Sequence, residues 1–296
     1  MFGMDPLLNM AALLFAGLLF SRLIKLLKLP NVTGFLVGGL IIGPSVLGLL
    51  STQGVESLGL ISSVALGFIA FSIGSEFKIS YFKRVGFLPI VIATFESLFA
   101  VVFVVAALAA AGQTLPFSLV LGAIAAATAP AATIMVIKQY RAKGPVTETL
   151  LSVVALDDAT ALIFFGIAVA IAQALESPQH ASLLFSVLSP VLQILAALGI
   201  GLALGAAHTL LIRFLPARHN RLVLTIAFVL TATAVAELLG LSALLTTMAM
   251  GAVFANFCKQ SAQVMELTDR FTNPIYMMFF VLSGAGLNLS ILPSIG

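Results

Sequence analysis

The chain reads as apolar runs of roughly membrane-crossing length separated by short polar breaks. The runs predict ten helices, near 6–25, 32–49, 55–77, 87–112, 117–138, 147–175, 182–213, 220–238, 241–258 and 271–290. A helix needs about 20 apolar residues to span a hydrocarbon core, which most of these runs approach or exceed. The seventh contains Pro190, which predicts a kink or a later start. Connections are short and leave no room for a soluble domain. The pattern predicts an all-α polytopic membrane protein.

Composition strengthens this reading. Of 296 residues 61% are hydrophobic and 8% charged, with a mean hydropathy of +1.19, whereas a soluble domain carries about 25% charged residues. The single cysteine, Cys258, excludes an internal disulfide. His180, His208 and His219 are not spaced as a metal site, and no glycine-rich loop precedes a basic residue. No enzymatic chemistry and no cofactor are expected. The first run follows MFGMD, and its basic residues come after it, the reverse of a cleaved leader, so it is read as a retained helix.

Charge then orients the chain. All 14 Lys and Arg fall at or near the connections after runs 1, 3, 5, 7 and 9: Arg22, Lys25, Lys28; Lys78, Lys83, Arg84; Lys138, Arg141, Lys143; Arg213, Arg218, Arg221; and Lys259, Arg270. The positive-inside rule makes these connections cytoplasmic and the N-terminus external, as in a multi-pass protein of the inner (plasma) membrane. Dispersal over five connections excludes a nucleic-acid patch as the meaning of the net charge of +3.

Against that background three acids stand out. Asp157 and Asp158 lie mid-run in LSVVALDDATALI, and Glu96 lies about a third of the way into the fourth run. Each Asp at a helix centre costs about 2.5–3.5 kcal/mol on insertion scales, and no Lys or Arg lies at that depth to offset it. Neighbours on a helix point about 100° apart, so one acid can face a site while the other braces it. Two carboxylates this close resist ionising together. A site that holds either protons or a metal cation accounts for the pair; the alternative is a hydrogen-bond network between helices. Glu96 reads either as an accessory proton carrier or as a structural carboxyl, and Glu237 as interfacial. One run earlier, in ATAPAATIMVIKQ, Pro130 breaks the hydrogen-bond ladder. Thr128, Ala129, Pro130 and Thr133 therefore form a candidate lining, since a broken helix at bilayer depth must be buried or face a cavity.

The chain also resembles itself. At an offset of 212 residues Gly39 falls on Gly251, Phe68 on Phe280 and Gly74 on Gly286. Seven runs separate the partners, an odd number, so they run in opposite directions. This predicts an inverted repeat with a midplane site. The counterparts of Glu96, Pro130 and Asp157 would fall beyond Gly296, so on this reading three helices are missing and the chain is expected to be a fragment.

Four stretches, GFLVGGLIIGPSVLGL (34–49), FIAFSIGSEFKISYFKRVG (68–86), ATAPAATIMVIKQ (127–139) and LSVVALDDATALI (151–163), together resemble the membrane domain of Kef/Nap-type monovalent cation:proton antiporters of the sodium/proton exchanger superfamily. The resemblance implies an inverted-repeat fold of about 13 helices, with 10 present here, in a homodimer using alternating access. It implies scaffold or dimerisation helices over 1–80 and 217–296, half of an ion-carrying core over 81–176, and a linker helix over 177–216. Asp158 would be the principal ion and proton carrier and Asp157 its companion. Relatives with Asp–Asp resemble sodium exchangers, whereas potassium-type relatives tend to have Gln before the Asp. Na⁺ is therefore favoured over K⁺ as the ion exchanged for H⁺. The other readings are a passive cation channel and a truncated scaffold that does not transport.

Overall fold

The structure, a computed structural model, describes residues 5–77, 79, 86–128, 142–176 and 183–289. Among these residues there are eleven helices and no strand. They are α1 (Pro6–Leu26), α2 (Asn31–Ile42), α3 (Thr52–Ser57), α4 (Gly59–Glu76), α5 (Leu88–Ala110), α6 (Leu115–Ala125), α7 (Pro145–Glu176), α8 (Leu183–Ile212), α9 (Arg218–Leu238), α10 (Ala243–Phe257) and α11 (Ser261–Ala285). Four stretches, Pro6–Leu26, Leu88–Ala110, Leu192–Ile212 and Arg218–Leu238, are long and apolar enough to cross a membrane. Shorter apolar helices include Asn31–Ile42, Leu115–Ala125 and Ala243–Phe257.

The ends are set locally. Asp5 caps α1, its carboxylate accepting from the Leu7 N–H at 2.8 Å, with Pro6 as the first helical residue. Ser51 and Ser242 cap α3 and α10 in the same way. The second predicted run ends at Ile42, not 49, because Pro44 cannot continue a helix and the chain turns at Gly43. The run expected at 55–77 divides into α3 and α4. α11 begins at Ser261, not near 271, runs through Pro274 and stops at Ala285, not 290. Arg270 accordingly lies inside α11, paired with exposed Glu266 at 2.7 Å, and not in a connection. Arg22 and Lys25 likewise belong to the last turns of α1, and Arg218 and Arg221 to the first turn of α9. Long basic side chains reach water from such terminal turns.

The chain divides into two compact units, one of residues 1–69 and 263–296, the other of 70–262. The first is centred on Leu13, Leu50, Val281 and Ala285. In the second, the His208 ring is fully buried and stacked on Phe254 and Phe228, centroids 4.4 and 5.0 Å away. Thr225 gives its hydroxyl proton to the Arg221 carbonyl, so His208 Nε2 must donate to Thr225 Oγ1, 3.1 Å away. The α5 helix turns small residues inward, Pro89, Ala93 and Ser97, and large ones outward, Phe95, Phe99 and Phe103. That is the arrangement expected where lipid replaces water and close packing holds the helices.

Each unit contains the same glycine contact. In the first, Gly39 of α2 lies against the Val281 carbonyl of α11, and Gly284 against the Leu36 carbonyl. In the second, Gly251 of α10 lies against the Phe71 carbonyl of α4, and Gly74 against the Met248 carbonyl. These contacts correspond if α2 maps onto α10 at an offset of 212 residues and α4 onto α11 at 210. The repeat therefore holds for Gly39 and Gly251. The counterpart of Gly74 is Gly284 and not Gly286, whose nearest neighbours lie at an ordinary 3.6 Å.

These contacts leave no room for a β-carbon at the four glycines. We expect Gly251→Ala to cost at least about 1–3 kcal/mol, as overpacking does, because the neighbour is rigid backbone. Gly286→Ala should stay within about 0.5 kcal/mol. Unfolding temperatures of the detergent-purified variants check this; equal values for the two would refute the contact.

Candidate cation and proton site

The candidate site is built by α5, α6 and α7, which pack mutually within the second unit. Opened by Pro145, α7 carries Val153, Asp157 and Ala161 on one buried stripe at four-residue spacing. Asp157 is 2% exposed. The α6 helix stops at Ala125, with Ala126 and Ala127 donating back three residues in a tightened last turn. The end of α6 thus lies five residues before Pro130.

The chain leaving α6 delivers Thr128 to the aspartate. Thr128 Oγ1 donates to Asp157 Oδ2 at 2.7 Å. The other carboxylate oxygen, Oδ1, is buried and has no hydrogen-bond partner among the described residues. A buried, half-satisfied carboxylate is costly when ionised. It needs a proton on the carboxyl or a cation beside it, and Oδ1 is the atom available for either. Among the described residues no three His, Cys, Asp or Glu converge as a multidentate metal centre.

Two hydroxyls that the sequence reading did not single out complete the frame. Thr160 Oγ1 donates to the Asp157 carbonyl at 3.0 Å, and Ser97 Oγ of α5 lies 2.9 Å from Thr160 Oγ1. Each hydroxyl has one proton and that of Thr160 is already used, so Ser97 is the donor to Thr160. The chain Ser97–Thr160–Asp157 ties α5 to α7 at the level of the acid. Only the three-residue spacing of Asp157 and Thr160 hinted at this in the sequence.

Glu96, beside Ser97, is exposed and lines a cavity of about 540 Å³ with Ile92, Pro145, Val146, Thr149, Leu150 and Val153. Val153, one turn before Asp157 on the same stripe of α7, lines this cavity too. Thr128, Asp157 and Glu96 therefore belong to one neighbourhood. Ala129, Pro130 and Thr133 lie outside the described residues, as does the side chain of Asp158, whose backbone belongs to α7. Glu237 is exposed at the end of α9.

The protein-family model described as "Sodium/hydrogen exchanger, transmembrane" matches residues 10–295, nearly the whole chain. No curated protein matches the chain.

Proposed function

The chain belongs to the sodium/hydrogen exchanger family, and from that premise we propose that it exchanges Na⁺ for H⁺ by alternating access, with Asp157 and Asp158 at the binding site. Membership supports cation:proton antiport in general; the ion, the residues and the geometry of transport are our reading. The observation that carries it is Asp157, buried in α7 and anchored by Thr128 through one oxygen, the other having no partner among the described residues.

A carboxylate that receives a cation must first lose its proton, and reprotonation expels the ion. This competition couples two gradients at one place without a separate signalling site. Asp157 has Oδ2 committed to Thr128 and serves as the braced member of the pair. Asp158, the next position round α7, is the principal carrier. Thr128 and the broken segment after it, with Ala129, Pro130 and Thr133, supply neutral oxygens suited to Na⁺, a hard cation. Glu96 at the cavity is an accessory acid. Residues 81–176 act as the ion-carrying half-core, 177–216 as the linker, and 1–80 with 217–296 as the scaffold of a homodimer.

The charge pattern orients the protein in the plasma membrane with the basic connections cytoplasmic. A cysteine placed at Lys143 should be inert to an impermeant thiol reagent added outside sealed cells; labelling there would overturn the orientation.

Sodium-induced dequenching of a pH dye in proteoliposomes tests the roles. Asp158→Asn cannot change its charge and should abolish exchange, while the protein still inserts. Asp157→Asn keeps one titrating acid and should retain some exchange with altered affinity or ion preference. Full activity in Asp158→Asn refutes the assignment, and equal loss in both variants means that the pair acts as a unit.

A further inference from the structure

Just beyond the last turn of α4, one side chain holds the backbone through two hydrogen bonds and is braced on its own helix by a third. Asn256 of α10 accepts from the Ile79 N–H at 2.7 Å through Oδ1. Its Nδ2 donates to the carbonyls of Phe77 at 2.6 Å and Ala252 at 2.7 Å. One acceptor site meets a donor and two donor sites meet carbonyls, so only one orientation of the amide fits. The equivalent position at the end of α11 is held in the same manner. Ser45 Oγ donates to the Leu287 carbonyl at 2.5 Å and accepts from the Leu289 N–H at 3.4 Å. At the offset of 210 residues that relates α4 to α11, Phe77 and Ile79 correspond to Leu287 and Leu289. In both cases a side chain bridges the carbonyl of one residue and the N–H of the second residue after it, satisfying groups that a helix end leaves orphaned.

What Asn256 holds in place is the residue that joins two packing groups of the second unit. Phe77 packs against the cluster that Ala70, Ala197, Leu245 and Met248 form from α4, α8 and α10. It also packs against a second cluster, formed by Ala93, Val153 and Leu156 of α5 and α7. Leu156 is the residue before Asp157. We propose that Asn256 is a positioning residue for transport: it fixes Phe77 as the bearing between α4–α10 and the helices that carry the site, and Ser45 is its counterpart at the end of α11. The proposal rests on the exchange reading above. It adds residues remote from the ion that set the rate of movement and not the affinity.

The test uses the full chain, reconstituted, with hydrogen exchange and Na⁺-driven proton movement measured on the same preparations. Asn256→Ala should speed exchange of peptides covering residues 77–79 by about 5- to 10-fold, the equivalent of a net hydrogen bond of roughly 1 kcal/mol or slightly more. Peptides elsewhere in α4 and α10 should be unchanged. Its turnover should fall several-fold while the Na⁺ concentration for half-maximal rate stays within about twofold. Asn256→Asp retains the acceptor for Ile79 and should recover part of the turnover. In Phe77→Leu protein the further effect of Asn256→Ala should shrink, as expected for residues acting through one contact. Unchanged exchange at 77–79 overturns the anchor. Faster exchange throughout α4 and α10, or unaltered turnover in Asn256→Ala, overturns the positioning role. A wild-type protein without Na⁺-driven proton movement counts against the exchange reading itself, while exchange at 77–79 still decides the anchor.

Discussion

A buried carboxylate with one hydrogen bond is the constraint on which the site depends. Among the described residues Thr128 satisfies one of the two oxygens of Asp157, and the other has no partner. Much of the local architecture follows from supplying that bond. The α6 helix has to end at Ala125 so that the chain can turn Thr128 toward α7. Ser97 and Thr160 have to fix the backbone of Asp157, because an acid that shifted by an ångström would lose its only described donor. On the exchange reading proposed above, the acid pair offers a proton or a small cation a place that the two cannot occupy together.

Close approach of helices is the second constraint. Within lipid there is no hydrophobic force to drive one helix onto another, so contact comes from shape. The glycines at 39, 74, 251 and 284 let backbone meet backbone. Because the same pair of contacts recurs in each unit, the duplicated element is a helix pair and not a single helix. Asn256 and Ser45 close the ends of those pairs by the same bonding logic from different side chains. By strict offset the counterpart of Asn256 is Pro44, which has no donor. The task passes to Ser45, one residue later, where the chain has already left its helix.

The sequence made the helical membrane class, most of the helices and the three unusual acids legible, because length, apolarity and charge at depth are local properties. The end of α6 at Ala125 carried no signal of its own, since Pro130, the break expected in that run, stands five residues later and lies outside the described residues. Other features depended on tertiary context. The offset inferred from Gly74 and Gly286 was two residues too long, since glycines recur every few positions and only the packed contact distinguishes Gly284 from Gly286. The early start of α11 was hidden by Glu266, Asp269 and Arg270, which read as a polar connection but lie on a helix. Ser97, Thr160 and Asn256 were not visible as site or anchoring residues, because their partners lie on other helices or across a turn.

If one site serves proton and cation in turn, as we propose, binding of the cation must release a proton. Sodium chloride is added to purified protein in weakly buffered detergent solution near neutral pH, with choline chloride as control, and the released protons are counted. Release should saturate with sodium and vanish in the protein carrying both Asp157→Asn and Asp158→Asn. Sodium binding to the wild type, established by calorimetry on the same sample, with no protons released at any pH where binding occurs would contradict it.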